Sequence, residues 1–128
     1  MTAAVDSYGV RSMVAPLRRV AVRPPSRRGD YVTAHWAQPL DLDRLEQQHA
    51  AFVALLEKLG CGVEVLPPVD DMPDAIFTYD PAFVVPTGVI ELRGAKVVRA
   101  GEPPLLATQV QDLGVPLAGR LVAPATAD

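Results

Sequence analysis

The sequence predicts a single domain of the mixed α/β class, built from short strands and two helices. Its 128 residues suit one domain, and 49% of them are hydrophobic, which is enough for a core. Apolar residues alternate between the two-residue period of strands and the three-to-four-residue period of helices. Thirteen prolines, about twice the average usage, interrupt these patterns and predict short elements joined by stiff loops.

The first part of the chain predicts a strand followed by a long loop. Residues 1–17 show no regular pattern, and we expect a flexible leader there. Residues 19–23 read as a strand that ends at Pro24 and Pro25. Residues 26–39 are polar, and a loop of this length beside a core is often a functional lid.

Residues 41–59 carry the clearest helix pattern, with Asp41 as the N-cap and Gly60 as the stop signal. A second strand is predicted at residues 63–66, before another proline pair. Side chains at alternating spacings of three and four predict one apolar stripe on the helix. The stripe comprises Leu42, Leu45, His49, Phe52, Leu56 and Leu59.

The second part of the chain, from residue 82 onward, predicts a hairpin, a helix and a last strand. Residues 82–85 and 89–92 flank a Pro-Thr-Gly turn, which is a hairpin signal. Residues 96–99 form another short extended segment in this interpretation. A helix is predicted at residues 101–113, with prolines in its first turn, and a strand at 116–122.

Charge and cysteine content exclude several classes of protein. The net charge of −3 argues against a nucleic-acid binder. Residues 1–30 hold six arginines and could meet nucleic acid or an acidic partner, but we favour a solvated loop. One cysteine, Cys61, allows no internal disulfide and fits a reducing compartment. With no signal pattern and no apolar run long enough for a membrane span, we expect a soluble, cytoplasmic protein.

Catalytic and metal-binding patterns are missing from the sequence. It has no His/Cys cluster with metal spacing, no phosphate-binding loop and no serine elbow, so we expect no metal site. Cys61, between two glycines, reads as an inert thiol. His49 lies on the helix stripe and is expected to be packed. His35, beside Trp36 in the long loop, is better placed for a ligand, although a loop role is favoured.

Residues 72–85 are the most informative stretch. Asp74, Phe77, Tyr79 and Asp80 put two carboxylates and two aromatic rings just before an apolar strand. A carboxylate matches the fork of a guanidinium, and a ring can stack on its flat face. From the residues alone, however, an aspartate turn leading into a buried strand is the favoured interpretation.

Two further conditions apply to a guanidinium site. In a straight strand Asp74 and Asp80 would lie roughly 20 Å apart, so they can serve one small ligand only if the chain turns between them. A guanidino amino acid also carries an α-carboxylate, for which Arg93 and Arg99 are the nearby candidates.

These segments, in this order, resemble the N-terminal part of the dimethylarginine dimethylaminohydrolase and amidinotransferase family, the guanidino-group-modifying enzymes of the pentein fold. The resemblance covers residues 18–128, and its most specific motif is Pro-Asp-Ala-Ile-Phe-Thr-Tyr-Asp-Pro. The matching segments are residues 19–26, 46–49, 62–68, 73–81, 99–102, 114–120 and 123–128.

The resemblance implies a partial pentein-type α/β propeller of about two and a half ββαβ modules, in a domain truncated before its catalytic half. It also implies that a cysteine thiolate attacks the guanidinium carbon while a histidine transfers protons, without a cofactor. In the family both groups lie in the second half. No catalytic residue is therefore expected in this chain, beyond a supporting role for Asp80.

The resemblance assigns substrate contacts to the acidic segment and a mobile lid to the long loop. Tyr79 stands where dimethylarginine hydrolases usually carry glutamate, which puts specificity for methylated arginine in question. The implied substrate-binding residues are Asp74, Phe77, Tyr79, Asp80 and Arg99, and the implied lid residues are Tyr31 and His35.

The first functional hypothesis is the substrate-holding portion of a guanidino-group hydrolase that cleaves a C–N bond. The alternatives are a non-catalytic half-pentein binding protein and an amidinotransferase fragment, with a nucleic-acid-associated relative as a weaker one. The expected partners are a small guanidino substrate, such as a methylated arginine, and a second copy or a complementary C-terminal fragment. Neither a membrane nor a nucleic acid is expected.

Overall fold

The computed structural model describes residues 8–127, and within them the chain forms five strands and two α-helices. Short 3-10 turns at Pro73–Ile76 and Val97–Arg99 connect some of these elements. The strands and helices are β1 (Arg19–Val22), α1 (Leu42–Lys58), β2 (Gly62–Val65), β3 (Ala82–Val85), β4 (Gly88–Glu91), α2 (Glu102–Asp112) and β5 (Leu117–Arg120).

The first unit is a βαβ arrangement in which β1 and β2 pair in parallel across α1, with Val20 opposite Val63. The predicted N-cap of α1 is confirmed, because the Asp41 carboxylate accepts a hydrogen bond of 3.0 Å from the backbone N–H of Arg44. Gly60 adopts a φ of +97° just after the helix, which is the conformation that a stop glycine provides.

The second unit is a ββαβ arrangement formed by β3, β4, α2 and β5. β3 and β4 make the predicted antiparallel hairpin, and β5 pairs in parallel with β4. At Gly88, φ is +143° and a Cβ atom would lie 2.2 Å from the Pro116 carbonyl oxygen, so only glycine fits. The two units confirm the predicted α/β class of small sheets and helices.

The core of the described chain lies where α2 covers the three-stranded sheet. Val89 of β4 is fully buried, and Tyr8 and Leu113 pack against the cluster from its edge. Packing against this core fixes α2 and the hairpin in place, and both flank the acidic segment. The buried members are Leu66, Val89, Leu106, Val110 and Val115.

The predicted stripe of α1 is wrong at two positions. Phe52 is 49% exposed and Leu59 is 70% exposed, whereas Val53 is half-buried in their place. Val53 follows His49 by four residues and precedes Leu56 by three, which is the spacing that keeps side chains on one helix face. Phe52 lies one residue earlier, so about 100° of helical rotation carries it toward solvent.

The prediction of an extended segment at residues 96–99 is also wrong, because Val97–Arg99 forms a 3-10 turn. Val97 is 85% exposed, and in the described chain its segment pairs with no strand. The β-propensity of the two valines is overridden by polar contacts at either end, where Lys96 and Arg99 both reach the acidic segment.

The flexible leader expected at residues 1–17 stays a prediction, and residues 1–7 lie outside the described part of the chain. The backbone N–H of Val10 donates to the Val84 carbonyl at 3.4 Å, which brings this stretch to the hairpin. Among the described residues no helix is long and apolar enough to cross a membrane.

Candidate functional site

A 3-10 turn at Pro73–Ile76 holds Asp74, and a buried arginine fixes that turn to the rest of the fold. Arg23, only 2% exposed, donates to the carbonyl of Ala75 at 3.1 Å and to that of Pro67 at 2.8 Å. Its Nη2 also donates to the Gln109 amide oxygen of α2, at 2.6 Å. Arg23, one of the six arginines in residues 1–30, therefore has a structural role, because its hydrogen bonds orient the acidic segment.

The Asp74 carboxylate is buried and both of its oxygens accept hydrogen bonds. Trp36 donates its indole N–H to Oδ1 at 2.8 Å, and the Lys96 ammonium donates to Oδ2 at 2.7 Å. Burial disfavours the charged form, but the hydrogen bonds from Lys96 and Trp36 prevail and lower the pKa of Asp74. Asp74 is therefore an ionised carboxylate with a cation already beside it.

Arg99 joins the other predicted residues into one network. Its Nη1 donates to Asp80 at 2.8 Å, while its Nη2 donates to the backbone carbonyls of Asp74 and Phe77 at 3.2 and 3.1 Å. Its Nε and Nη2 also donate to Glu102, whose side chain is 3% exposed. Burial opposes the charge of Arg99, but Glu102 and Asp80 outweigh it and raise the pKa of the guanidinium.

The turn required between the two aspartates is present. Because one guanidinium contacts the backbone of Asp74 and the side chain of Asp80, the segment doubles back instead of running straight. The structure thus brings Asp74, Phe77, Asp80 and Arg99 together. Arg99 is occupied by these protein groups, which leaves at most part of its Nη1 for an external carboxylate.

Aromatic rings from the long loop cover the acidic segment. Trp36 stacks on Phe77 with ring centroids 5.6 Å apart, and Tyr31 meets Trp36 edge-on at 4.9 Å. Tyr31 is buried and donates its hydroxyl to the Ser26 carbonyl. His35 is exposed, with a φ of +67°, so of the two predicted lid residues only Tyr31 packs inward.

A cavity of about 340 Å³ opens beside this network. Asp80, Arg93, Lys96 and Arg99 supply the charged groups of its wall. Asp80 is accessible there, with 56% of its side chain exposed. Asp74 does not line the cavity. Tyr79 is 79% exposed and lies outside the network, so it adds no charge or wall to it.

Sequence reasoning missed three members of the site, which are Trp36, Lys96 and Glu102. The spacing of Glu102, three residues after Arg99, was a usable signal, since such pairs meet on one side of a helical turn. Trp36 and Lys96 lie 38 and 22 residues from Asp74, and no local pattern announces such contacts.

The reactive side chains of the sequence lie in other parts of the fold. The Cys61 thiol donates to the Leu17 carbonyl at 3.3 Å, just before β2. His49 is half-buried on α1, where burial lowers its pKa and a hydrogen bond involving the Arg23 backbone opposes that shift. Within residues 8–127 no group of His, Cys, Asp or Glu side chains is arranged to hold a metal ion.

Comparisons with known proteins show what this sequence and this fold are similar to. No protein-family model matches the sequence. The chain is 26% identical over 113 residues to the N(G),N(G)-dimethylarginine dimethylaminohydrolase of Pseudomonas aeruginosa, covering 87% of this chain and 44% of that enzyme. The chain therefore spans less than half the length of the curated relative it matches.

Solved structures support the fold. A dimethylarginine dimethylaminohydrolase variant, crystallised as an adduct with S-methyl-L-thiocitrulline, is 26% identical with a TM-score of 0.73, covering 86% of this chain and 44% of that one. The product-bound N-terminal domain of an arginine dihydrolase from Cyanobacteria has a TM-score of 0.72 at 18% identity, covering 87% of this chain and 42% of that one. At that identity the second similarity concerns the fold alone. The described chain thus adopts part of the pentein fold, as predicted from the sequence.

Proposed function

We propose a function on the premise that this chain is similar to the N-terminal part of the dimethylarginine dimethylaminohydrolase and amidinotransferase family. Over the length that they share, the chain resembles relatives that are guanidino-group hydrolases. The proposal is that the chain holds the substrate of such an enzyme, which cleaves a C–N bond of a guanidino compound.

The observation that carries the proposal is the network centred on Arg99. It gathers Asp74, Phe77 and Asp80, three of the substrate residues implied by the family, around one guanidinium, and Asp80 and Arg99 of this network line the cavity. Two carboxylates and an aromatic face suit a planar cation, because carboxylates pair with its N–H groups and the ring accepts its flat face. A methylated arginine or arginine itself has that chemistry.

The proposed reaction needs a thiolate that this chain does not supply from its site. The thiolate attacks the guanidinium carbon, an amine leaves with a proton from a histidine, and water then hydrolyses the carbon–sulfur bond to a ureido product. The Cys61 thiol donates a hydrogen bond to the Leu17 carbonyl and is not part of the Arg99 network. We therefore assign the nucleophile and the proton-transfer group to residues outside this chain.

The contribution of these residues is positioning and electrostatics. Asp80 faces the cavity and would accept N–H bonds from the guanidinium, which fixes the plane of the carbon that is attacked. Arg99 is paired with the carboxylates of Asp80 and Glu102, whereas Arg93 on the same wall donates to the neutral Ala125 carbonyl at 3.1 Å, so Arg93 is the better candidate for the α-carboxylate.

A non-catalytic binding protein is the second candidate. The observation that favours it is that Asp74 and Asp80 are each paired with a cation of the chain itself. Such a protein would bind an arginine-like ligand or a partner without turning it over.

Calorimetry with L-arginine, dimethylarginine and L-ornithine tests the binding role. We expect the two guanidines to bind and ornithine, which has an ammonium in place of the guanidinium, to bind less tightly. Asp80→Asn should weaken guanidine binding about tenfold or more, since it removes a charge-assisted contact. Asp112→Asn, on the exposed end of α2, is the matched control. Equal affinity of the Asp80 variant and the control would refute the proposed role.

A further inference from the structure

Lys96 stands between the cavity and the buried carboxylate of Asp74. It lines the cavity, and its Nζ donates to Asp74 Oδ2 at 2.7 Å and to the Ala34 carbonyl at 3.3 Å. The Asp74 side chain is only 7% exposed. A cation that enters the cavity therefore meets the Lys96 ammonium before it can reach this carboxylate.

The other oxygen of the same carboxylate is also covered from within the chain. Trp36 donates to Asp74 Oδ1 at 2.8 Å, and its ring lies on the face of Phe77. One ammonium and one neutral N–H thus occupy the two oxygens that a guanidinium would take with two parallel N–H bonds. The indole covers one face of the Phe77 ring, which is otherwise 48% exposed.

We propose that Lys96 competes with the substrate for Asp74. Its ammonium occupies the Asp74 carboxylate until a guanidinium displaces it. This inference rests on the proposed function. The Lys96 side chain is 45% exposed, so its ammonium can swing into water on a flexible four-carbon stem. The exchange replaces one cation by another, so the buried carboxylate never stays unpaired, which would be the costly state.

The competitor also discriminates between substrate and product. A guanidinium carries a positive charge and can replace the ammonium at Asp74. The ureido group left by hydrolysis is neutral, so it cannot balance the carboxylate and Lys96 returns. Lys96 thereby lowers the affinity for substrate and favours release of the product.

The first test compares Lys96→Met with the unaltered chain by calorimetry. We expect L-arginine to bind the variant about 10- to 100-fold more tightly, the range that one charge-assisted hydrogen bond spans. L-Citrulline, which is neutral at the reacting group, should gain nothing. Lys58→Met, at the end of α1, is the control because Lys58 is the only other lysine. Unchanged or weaker arginine binding by a folded Lys96→Met would overturn the proposal.

The second test needs no variant. Because the chain has only two lysines, selective isotope labelling gives two lysine side-chain signals in an NMR spectrum. Saturation with L-arginine should move the Lys96 signal toward that of a solvated ammonium and leave the Lys58 signal in place. Arginine binding without movement of the Lys96 signal would overturn the inference alone. Binding of arginine to neither the unaltered chain nor Lys96→Met would refute the proposed function itself.

Discussion

Arg99 shows how far single residues can be interpreted from sequence. The family resemblance implied a substrate site in the acidic segment, and Asp74, Asp80 and Arg99 do come together. Their partnership could not be foreseen in detail, because ion pairs between segments depend on how loops fold back. The candidate role of Arg99 toward a substrate carboxylate stays a prediction, and in the structure Glu102, buried beside it, occupies two of its nitrogens.

Replacing Asp74 by asparagine should destabilise the fold. The variant keeps the shape but removes the charge that Lys96 and Trp36 contact inside the protein. We expect a loss of about 1–3 kcal/mol in the free energy of unfolding, the cost of leaving a polar group without its charged partner. Urea denaturation followed by far-UV circular dichroism measures it.

The matched control for this stability measurement is Asp112→Asn, an exposed position whose change should stay within about 0.5 kcal/mol. An Asp74 variant as stable as this control would mean that the buried carboxylate contributes nothing to the fold.

At the scale of elements, local signals located the helices and strands well and failed where tertiary contacts compete. The cap and stop residues of α1 and the hairpin turn act through their own backbone, so the sequence reveals them. The turn at Val97–Arg99 forms where Lys96 and Arg99 make long-range contacts, and the rotation of α1 about its axis depends on its packing against β2. Neither is encoded in a window of a few residues.

The loop at residues 26–36 should detach in acid. The pKa of Asp74 is lowered in the folded chain, so its stabilising effect is complete above the ordinary aspartate pKa of about 3.9. That effect disappears as the pH falls through the lower pKa of the folded state, because a neutral Asp74 holds Lys96 less strongly. Trp36 is the only tryptophan, so its fluorescence during a pH titration reports the change.

Other acidic groups near the loop also titrate, and Asp74→Asn separates their effect from that of Asp74. The variant should lose the acid transition of Trp36 fluorescence that belongs to this carboxylate. If both proteins gave superimposable titration curves, Asp74 would not control the loop.

At the scale of the whole molecule, apolar surface remains uncovered in the described chain. Phe52, Leu55 and Leu59 lie along one side of α1 at spacings of three and four, each about half exposed or more. The sheet of β1 and β2 has only two strands, which leaves both of its outer edges unpaired within the described residues. Such surfaces commonly mediate association.

We therefore predict that the chain self-associates at micromolar concentration, and that Phe52→Glu combined with Leu59→Glu shifts it toward monomer. Sedimentation equilibrium measures the mass, and Gln47→Glu, an exposed position on the same helix, is the control for added charge. A monodisperse monomer for the unaltered chain would contradict this prediction.

The most direct measurement of the central claim is ureido product formed from arginine or dimethylarginine when this chain is mixed with a polypeptide that supplies the second half of a dimethylarginine dimethylaminohydrolase. If this chain is the substrate-holding portion, product forms only in the mixture, and it falls by about 30- to 1,000-fold when Asp80→Asn removes a contact worth about 2–4 kcal/mol in the transition state. Turnover by this chain alone, or a mixture indifferent to Asp80, would contradict the account.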